Sequence, residues 1–118
     1  MIRDGQIVLF AFPQTDQTAG KLRPAIGLRR VPGPHNDWLA CMISSQLRHE
    51  VRGLDEVLRD TDVDFPATGL KQSSLIRTVR LAVVGAATFC GTIGEVSDDR
   101  LARVRSRLAE WILGPRSR

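Results

Sequence analysis

Apolar and polar positions along the chain fall into short runs bounded by turn residues. Residues 5–13, GQIVLFAFP, combine bulky and β-branched side chains and predict a first strand, which Pro13 ends or bends. The polar stretch QTDQTAG (14–20) follows as a loop. RPAIGLRR (23–30) predicts the second strand, and Arg23 is biased to an extended backbone because a proline follows it. After the loop VPGPHND, the run WLACMISSQ (38–46) is so apolar that it is expected to be central and covered on both faces. EVRGLDEVL (50–58) holds a short strand and leads into an acidic loop. SSLIRTVRLAVV (73–84) is strand-like, with Leu75, Val79 and Leu81 favouring one face, and ATFCGTIGEV (87–96) forms a last short strand with bulge-like glycines.

The period then changes. Leu101, Val104, Leu108 and Trp111 recur at three- and four-residue spacing, one stripe of a helix. Ser97 is a good N-cap, Asp98 and Asp99 suit the positive end of the helix dipole, and Gly114 with Pro115 is a stop signal. Arg100, Arg103 and Arg107 fall on the opposite face, expected to be solvated, with an RNA-binding face as the alternative. The pattern predicts a mainly β fold with a C-terminal α-helix. Five or six short strands close into a small barrel, as a single domain over residues 1–118.

Composition narrows the classes. A chain of 118 residues suits one domain and can bury a core without disulfides or a structural metal. No apolar run approaches the roughly 20 residues that span a bilayer, and the start MIRDGQIVLF lacks the pattern of a signal peptide, so a cytoplasmic, membrane-free protein is expected. Cys41 and Cys90 are too few for a disulfide scaffold and read as small buried hydrophobes. His35 and His49 stand far in sequence from both, so neither a metal nor a cofactor is expected. The net charge of +4 hides an asymmetry: residues 55–64 carry five acids against one arginine, and removing their −4 leaves +8 elsewhere. A surface of that sign favours a polyanion such as nucleic acid, or an acidic protein partner.

No phosphate-binding glycine loop and no G-x-S-x-G elbow occurs. Polar side chains instead gather at strand ends: Asp16, Lys21 and Arg23 around the first loop, Ser44, Ser45 and Gln46 after the central strand, and Lys71, Ser73, Ser74 and Arg77 in GLKQSSLIR. Four segments in order carry a resemblance, namely GQIVLFAFPQTDQTAGKLRPAIGL, CMISSQ, GLKQSSLIRTVRL and IGEVSDDRLARVRSRLAEWI. Together they resemble the MazF/PemK family of toxin endoribonucleases over nearly the whole chain.

The resemblance implies an SH3-like barrel that forms a homodimer. It implies cleavage of single-stranded RNA without metal, leaving a 2′,3′-cyclic phosphate and a 5′-hydroxyl, and an acidic antitoxin that occupies the RNA groove. By position, the catalytic arginine falls on Arg23 and the catalytic hydroxyl on Ser44, with Ser45 as its rival. The loop 14–20 belongs to the RNA groove. The chain departs from the family pattern at Gln6, Ser44 and Val79, where Asp, Thr and Asp are common. A similar barrel also serves a toxin that grips DNA gyrase through its C-terminal helix without cutting RNA, and an inactive family member is a third possibility.

The physics suits Arg23, whose planar guanidinium matches a phosphate bidentately and retains its proton. Its rival reading is a surface residue pairing at a strand end. Lys71 and Arg77 are expected to touch phosphate or to be solvated or Asp-paired, and Lys21 to touch phosphate or to be solvated. Asp16 lies in the groove loop. Phe12 is readable as a base platform or as core, and Gln46 as a reader of a base edge or as solvated. Trp38 and Trp111 read as core or dimer contacts, and His49 is an outside candidate for proton transfer.

Overall fold

A computed structural model describes residues 2–11 and 22–115. The described strands are β1 (Gln6–Ala11), β2 (Leu22–Arg30), β3 (Asp37–Ser44), β4 (Glu56–Leu58), β5 (Ser74–Gly85) and β6 (Gly91–Glu95), followed by the helix α1 (Asp98–Leu113). They form one antiparallel sheet in the order β4-β5-β3-β2-β1-β6, which curls into a half-barrel beside α1.

The meander β1-β2-β3 follows directly from its loops, since neighbouring runs in the sequence pair in the sheet. β3 is central, as its apolar run predicts, and Ala40, Cys41 and Ile43 are almost fully buried. A sharp bend comes from β5. Cys41 stands opposite Leu81 but Ile43 opposite Ile76, so residues 77–80 face Met42 alone. Such an excursion kinks a strand and increases local twist. The buried Asp55 carboxylate secures the bend by accepting from Thr78 N at 3.2 Å and from Val51 N at 2.9 Å. Thr78 Oγ1 donates to Leu54 O at 2.7 Å, so the bulged backbone is tied to the preceding loop.

α1 begins as expected. Ser97 is its N-cap, and Ser97 Oγ accepts from Arg100 N at 3.2 Å. Leu101, Val104 and Leu108 lie against Ile7, Ile26, Leu28, Cys41, Ile43 and Ile76 to build the main core. The other sheet face buries Val8, Phe10, Ala25 and Ala40 with Phe89 packed beside them, its ring centroid 5.8 Å from that of Phe10 at an interplanar angle of 69°.

Several expectations change. Cys90 is exposed rather than buried, because its residue follows a turn (Ala86–Thr88) at the edge of the sheet. Trp38 is core, whereas Trp111 is about half exposed near the end of α1. The arginine face of α1 is solvated only in part, Arg103 remaining about half exposed. Arg100 is buried, and its guanidinium meets Asp64, Glu56 and Asp62 while also donating to Val57 O at 3.1 Å. Arg103 Nε and Arg107 Nη1 reach Glu56 at 2.8 and 2.7 Å. The helix therefore collects the acidic segment that the sequence sets apart, and opposite charges cancel within the chain. Arg100 hydrogen bonds, opposed by partial burial, hold the Asp64 carboxyl down to about 2, and the same contact raises the Arg100 pKa further.

Candidate active site at the β2–β3–β5 end

The β2–β3 ladder pairs Ala25 with Met42. Carried two residues further in the same register, it stands Arg23 across from Ser44. On the far side Ser44 pairs with Leu75 at the start of β5. Three strand ends thus converge, and they enclose a cleft of about 210 Å³ lined by Leu22, Arg23, Pro24, Ile43, Ser44, Ser45, Leu70, Lys71, Gln72 and Ser74.

Arg23 owes its place to its local sequence: it lies within β2, in the extended backbone that the following Pro24 favours. Its Nε is buried and has no hydrogen-bond partner among the described residues. A buried donor without an acceptor normally costs about 1–3 kcal/mol, so it calls for an explanation, and one explanation is a waiting anion. Ser44 is also buried, and its Oγ accepts from Gln46 N at 3.1 Å. That bond turns the chain out of β3 and leaves the Ser44 hydroxyl proton uncommitted to any described acceptor. Ser45, the next residue, is exposed on the cleft rim.

The third wall is the segment that precedes β5. Thr68 Oγ1 donates to Phe65 O at 2.6 Å and accepts from Leu70 N at 3.2 Å. Gly69 has φ 71°, a left-handed conformation, and a Cβ there would run into the Ile93 carbonyl oxygen of β6. Gly94 makes the reciprocal approach: a Cβ on it would meet the backbone of Ala67 and Thr68. Two glycines thus let this segment dock on β6 and hold Lys71 and Gln72 over the cleft. Ser74 Oγ donates to Gln72 O at 2.8 Å, and Ser73 Oγ accepts from Asp60 N at 2.9 Å.

Of the sequence-expected site residues, Arg23, Ser44, Ser45 and Lys71 meet at this cleft. Gln46 does not line it; its backbone serves the Ser44 turn. Arg77 does not line it either. Its Nε lies 3.3 Å from Asp55 Oδ2, near enough for an ion pair though off line for a hydrogen bond, so the Asp pairing holds and phosphate contact does not follow. His49 is exposed at the end of the turn Leu47–His49, outside the lining. Phe12, Asp16 and Lys21 lie outside the described residues. Sequence reading missed Gln72, although its place beside Lys71 in the GLKQSS segment was a signal for it. Among the described residues no group of three or more His, Cys, Asp or Glu side chains could hold a metal ion, and no helix is long and apolar enough to cross a membrane.

Known proteins share this architecture. A MazE–MazF structure from Deinococcus radiodurans is 20% identical, aligns over 98% of this chain and 99% of its own, and has a TM-score of 0.70. MazF from the same organism is 21% identical over 98% and 99% of the two chains, with a TM-score of 0.67. An endoribonuclease in complex with its cognate antitoxin, from a mycobacterial species, is 12% identical over 99% and 100%, with a TM-score of 0.67. No curated protein sequence matches significantly. The family model described as PemK-like, MazF-like toxin of type II toxin-antitoxin system matches residues 3–112. With four ordered segments, the half-barrel and the match over nearly its full length, the chain belongs to the PemK-like, MazF-like family of type II toxin–antitoxin toxins.

Proposed function

We propose that this toxin is an endoribonuclease that cuts single-stranded RNA in the cytoplasm without a metal ion. The observation that carries the reading is the buried Arg23 Nε, without a hydrogen-bond partner among the described residues, in a cleft shared with Ser44, Ser45 and Lys71. The 2′-oxygen attacks the adjacent phosphorus and loses its proton. The P–O5′ bond breaks, and the 5′-oxygen leaves as a hydroxyl after gaining a proton, so the ends are a 2′,3′-cyclic phosphate and a 5′-OH.

Arg23 stays protonated and donates to the non-bridging oxygens, where charge grows in the transition state. One such donor is worth about 2.7–4 kcal/mol, or roughly 10²–10³ in rate. The Ser44 hydroxyl keeps a proton to offer to a phosphate oxygen, and Ser45 is positioned for the same role from the rim. Lys71 adds a point charge that draws the RNA backbone in. A homodimer and a cognate acidic antitoxin complete the reading, the antitoxin competing for the same cations. A non-catalytic toxin that grips a protein such as gyrase rested on an arginine-rich helix face. Arg100, Arg103 and Arg107 are already paired within the chain, which removes that support.

The test is RNA incubated with purified protein in EDTA, with the ends mapped chemically. Cyclic-phosphate and 5′-OH ends are expected, and Arg23→Ala should lower the rate roughly 10²–10³-fold with an unchanged circular dichroism spectrum. RNA left intact by the wild type, or cut equally by Arg23→Ala, would overturn the reading.

A further inference from the structure

The cleft has two unlike sides. Arg23 and Ser44 come from β2 and β3, while Leu70, Lys71 and Gln72 come from the arm that docks on β6. We infer that Gln72 is a specificity-determining residue, whose side-chain amide reads the base next to the phosphate held by Arg23. This rests on the endoribonuclease reading above.

Size comes first. About 210 Å³ falls below the roughly 300–1,000 Å³ of pockets that enclose a whole ligand, so the cleft takes one nucleotide's worth of a longer chain. Its walls include Leu22, Pro24 and Leu70, aliphatic surfaces against which a flat base can lie. Arg23 and Lys71 attract the phosphate, and neither distinguishes one base from another. Serine hydroxyls rotate and take either partner. Gln72 alone among the lining residues carries a carboxamide, which sets a donor and an acceptor side by side. That pair matches a Watson–Crick edge, the edge single-stranded RNA exposes to its readers.

Reading a base demands a fixed platform, and the arm supplies one. The Gln72 carbonyl is held by the buried Ser74 hydroxyl at 2.8 Å, and the preceding Gly69 lies directly on β6. The Gln72 side-chain amide makes no hydrogen bond to a described residue, so its donor and acceptor are free for a base. Gln46, which also stands at this end of the sheet, does not line the cleft.

The experiment uses four short RNAs that differ only at the nucleotide beside the mapped cut. Relative kcat/KM is measured for the wild type, Gln72→Ala and Gln72→Glu. The wild type should prefer one base by about 5- to 150-fold, the span expected for one bidentate contact. Gln72→Ala should flatten that preference while its melting temperature stays put. Gln72→Glu, which accepts but no longer donates, should re-rank the four RNAs. A wild type indifferent to the base, or variants that keep the wild-type ranking and ratios, would overturn the assignment of Gln72 alone. A wild type that leaves all four RNAs intact would overturn the endoribonuclease reading together with it.

Discussion

Replacing Arg100 by alanine should cost about 3 kcal/mol of folding stability. Its guanidinium donates twice to Asp64, at 2.8 and 3.0 Å, and once each to Glu56, Asp62 and Val57 O, at 3.2, 3.2 and 3.1 Å. These bonds are not equal once the arginine is gone. Glu56 keeps Arg103 and Arg107. The Asp62 side chain is 33% exposed and can turn to water. Asp64 is 16% exposed and, among the described side chains, retains Ser97 Oγ at 2.9 Å as its donor, so it bears most of the loss. Removing one partner of a buried ion pair typically costs about 3–5 kcal/mol, and the two rescued acids place this case at the lower end. Against a total of about 5–15 kcal/mol, that should drop the melting temperature by about 10 °C. Arg100→Lys should fall between, because an ammonium keeps the charge but cannot fork across Asp64.

The pH dependence gives the same prediction a second check. Asp64 is lowered from 3.8 to about 2 in the folded state, so its share of stability is present above pH 4 and fades as pH falls toward 2. Allowing for solvent screening, that share is ~1 kcal/mol. The stability gap between wild type and Arg100→Ala, measured by urea unfolding, should therefore narrow between pH 4 and pH 2. A variant within about 1 kcal/mol of wild type at pH 7, or a gap that stays constant through that acid range, would refute the account.

Two further perturbations probe other parts of the molecule. Gly94→Ala forces a methyl into the backbone of Ala67 and Thr68, so it should cost about 3 kcal/mol or more in thermal unfolding. Gly85→Ala meets only Asp37 Oδ1 at 3.5 Å and should stay within about 1 kcal/mol; equal losses in the two variants would be evidence against the docked arm. Burial pushes the Cys41 thiol up to about 12, while Cys90 is exposed. Iodoacetamide at pH 8 should label Cys90 alone until denaturant is added, and mass spectrometry showing both sites labelled in folded protein would contradict that burial.

Local signals in the sequence were reliable where local forces decide. The strands β1 to β3 could be read because alternating runs and proline-marked loops fix an antiparallel meander. Helix α1 could be read because Ser97 caps it and its apolar period is regular. Arg23 and Ser44 could each be named, but their meeting in one cleft depends on strand register. The Gly69–Gly94 contact joins residues that no local pattern links. Arg77 is a case the sequence left open between phosphate, solvent and an Asp partner, and only the fold picks out Asp55 beside it.

The charge pattern gains its meaning from the same long-range pairing. The sequence separates an acidic block from a basic helix face, which reads as a solvated face or, as the alternative, as a surface for a polyanion. In the folded chain Glu56, Asp62 and Asp64 turn back on Arg100, Arg103 and Arg107, so the two strongest features of the charge pattern largely cancel one another. In the cleft, Arg23 and Lys71 remain without an ion pair to a described residue. A charge held in a concave site acts on a ligand more strongly than the same charge on an open surface, because low-dielectric walls focus its field. Two cations in a small cleft therefore matter more to a polyanion than three on a helix already satisfied by carboxylates. The acidic block thus removes a competing basic surface, and it fastens the helix that backs the sheet from which the cleft is made.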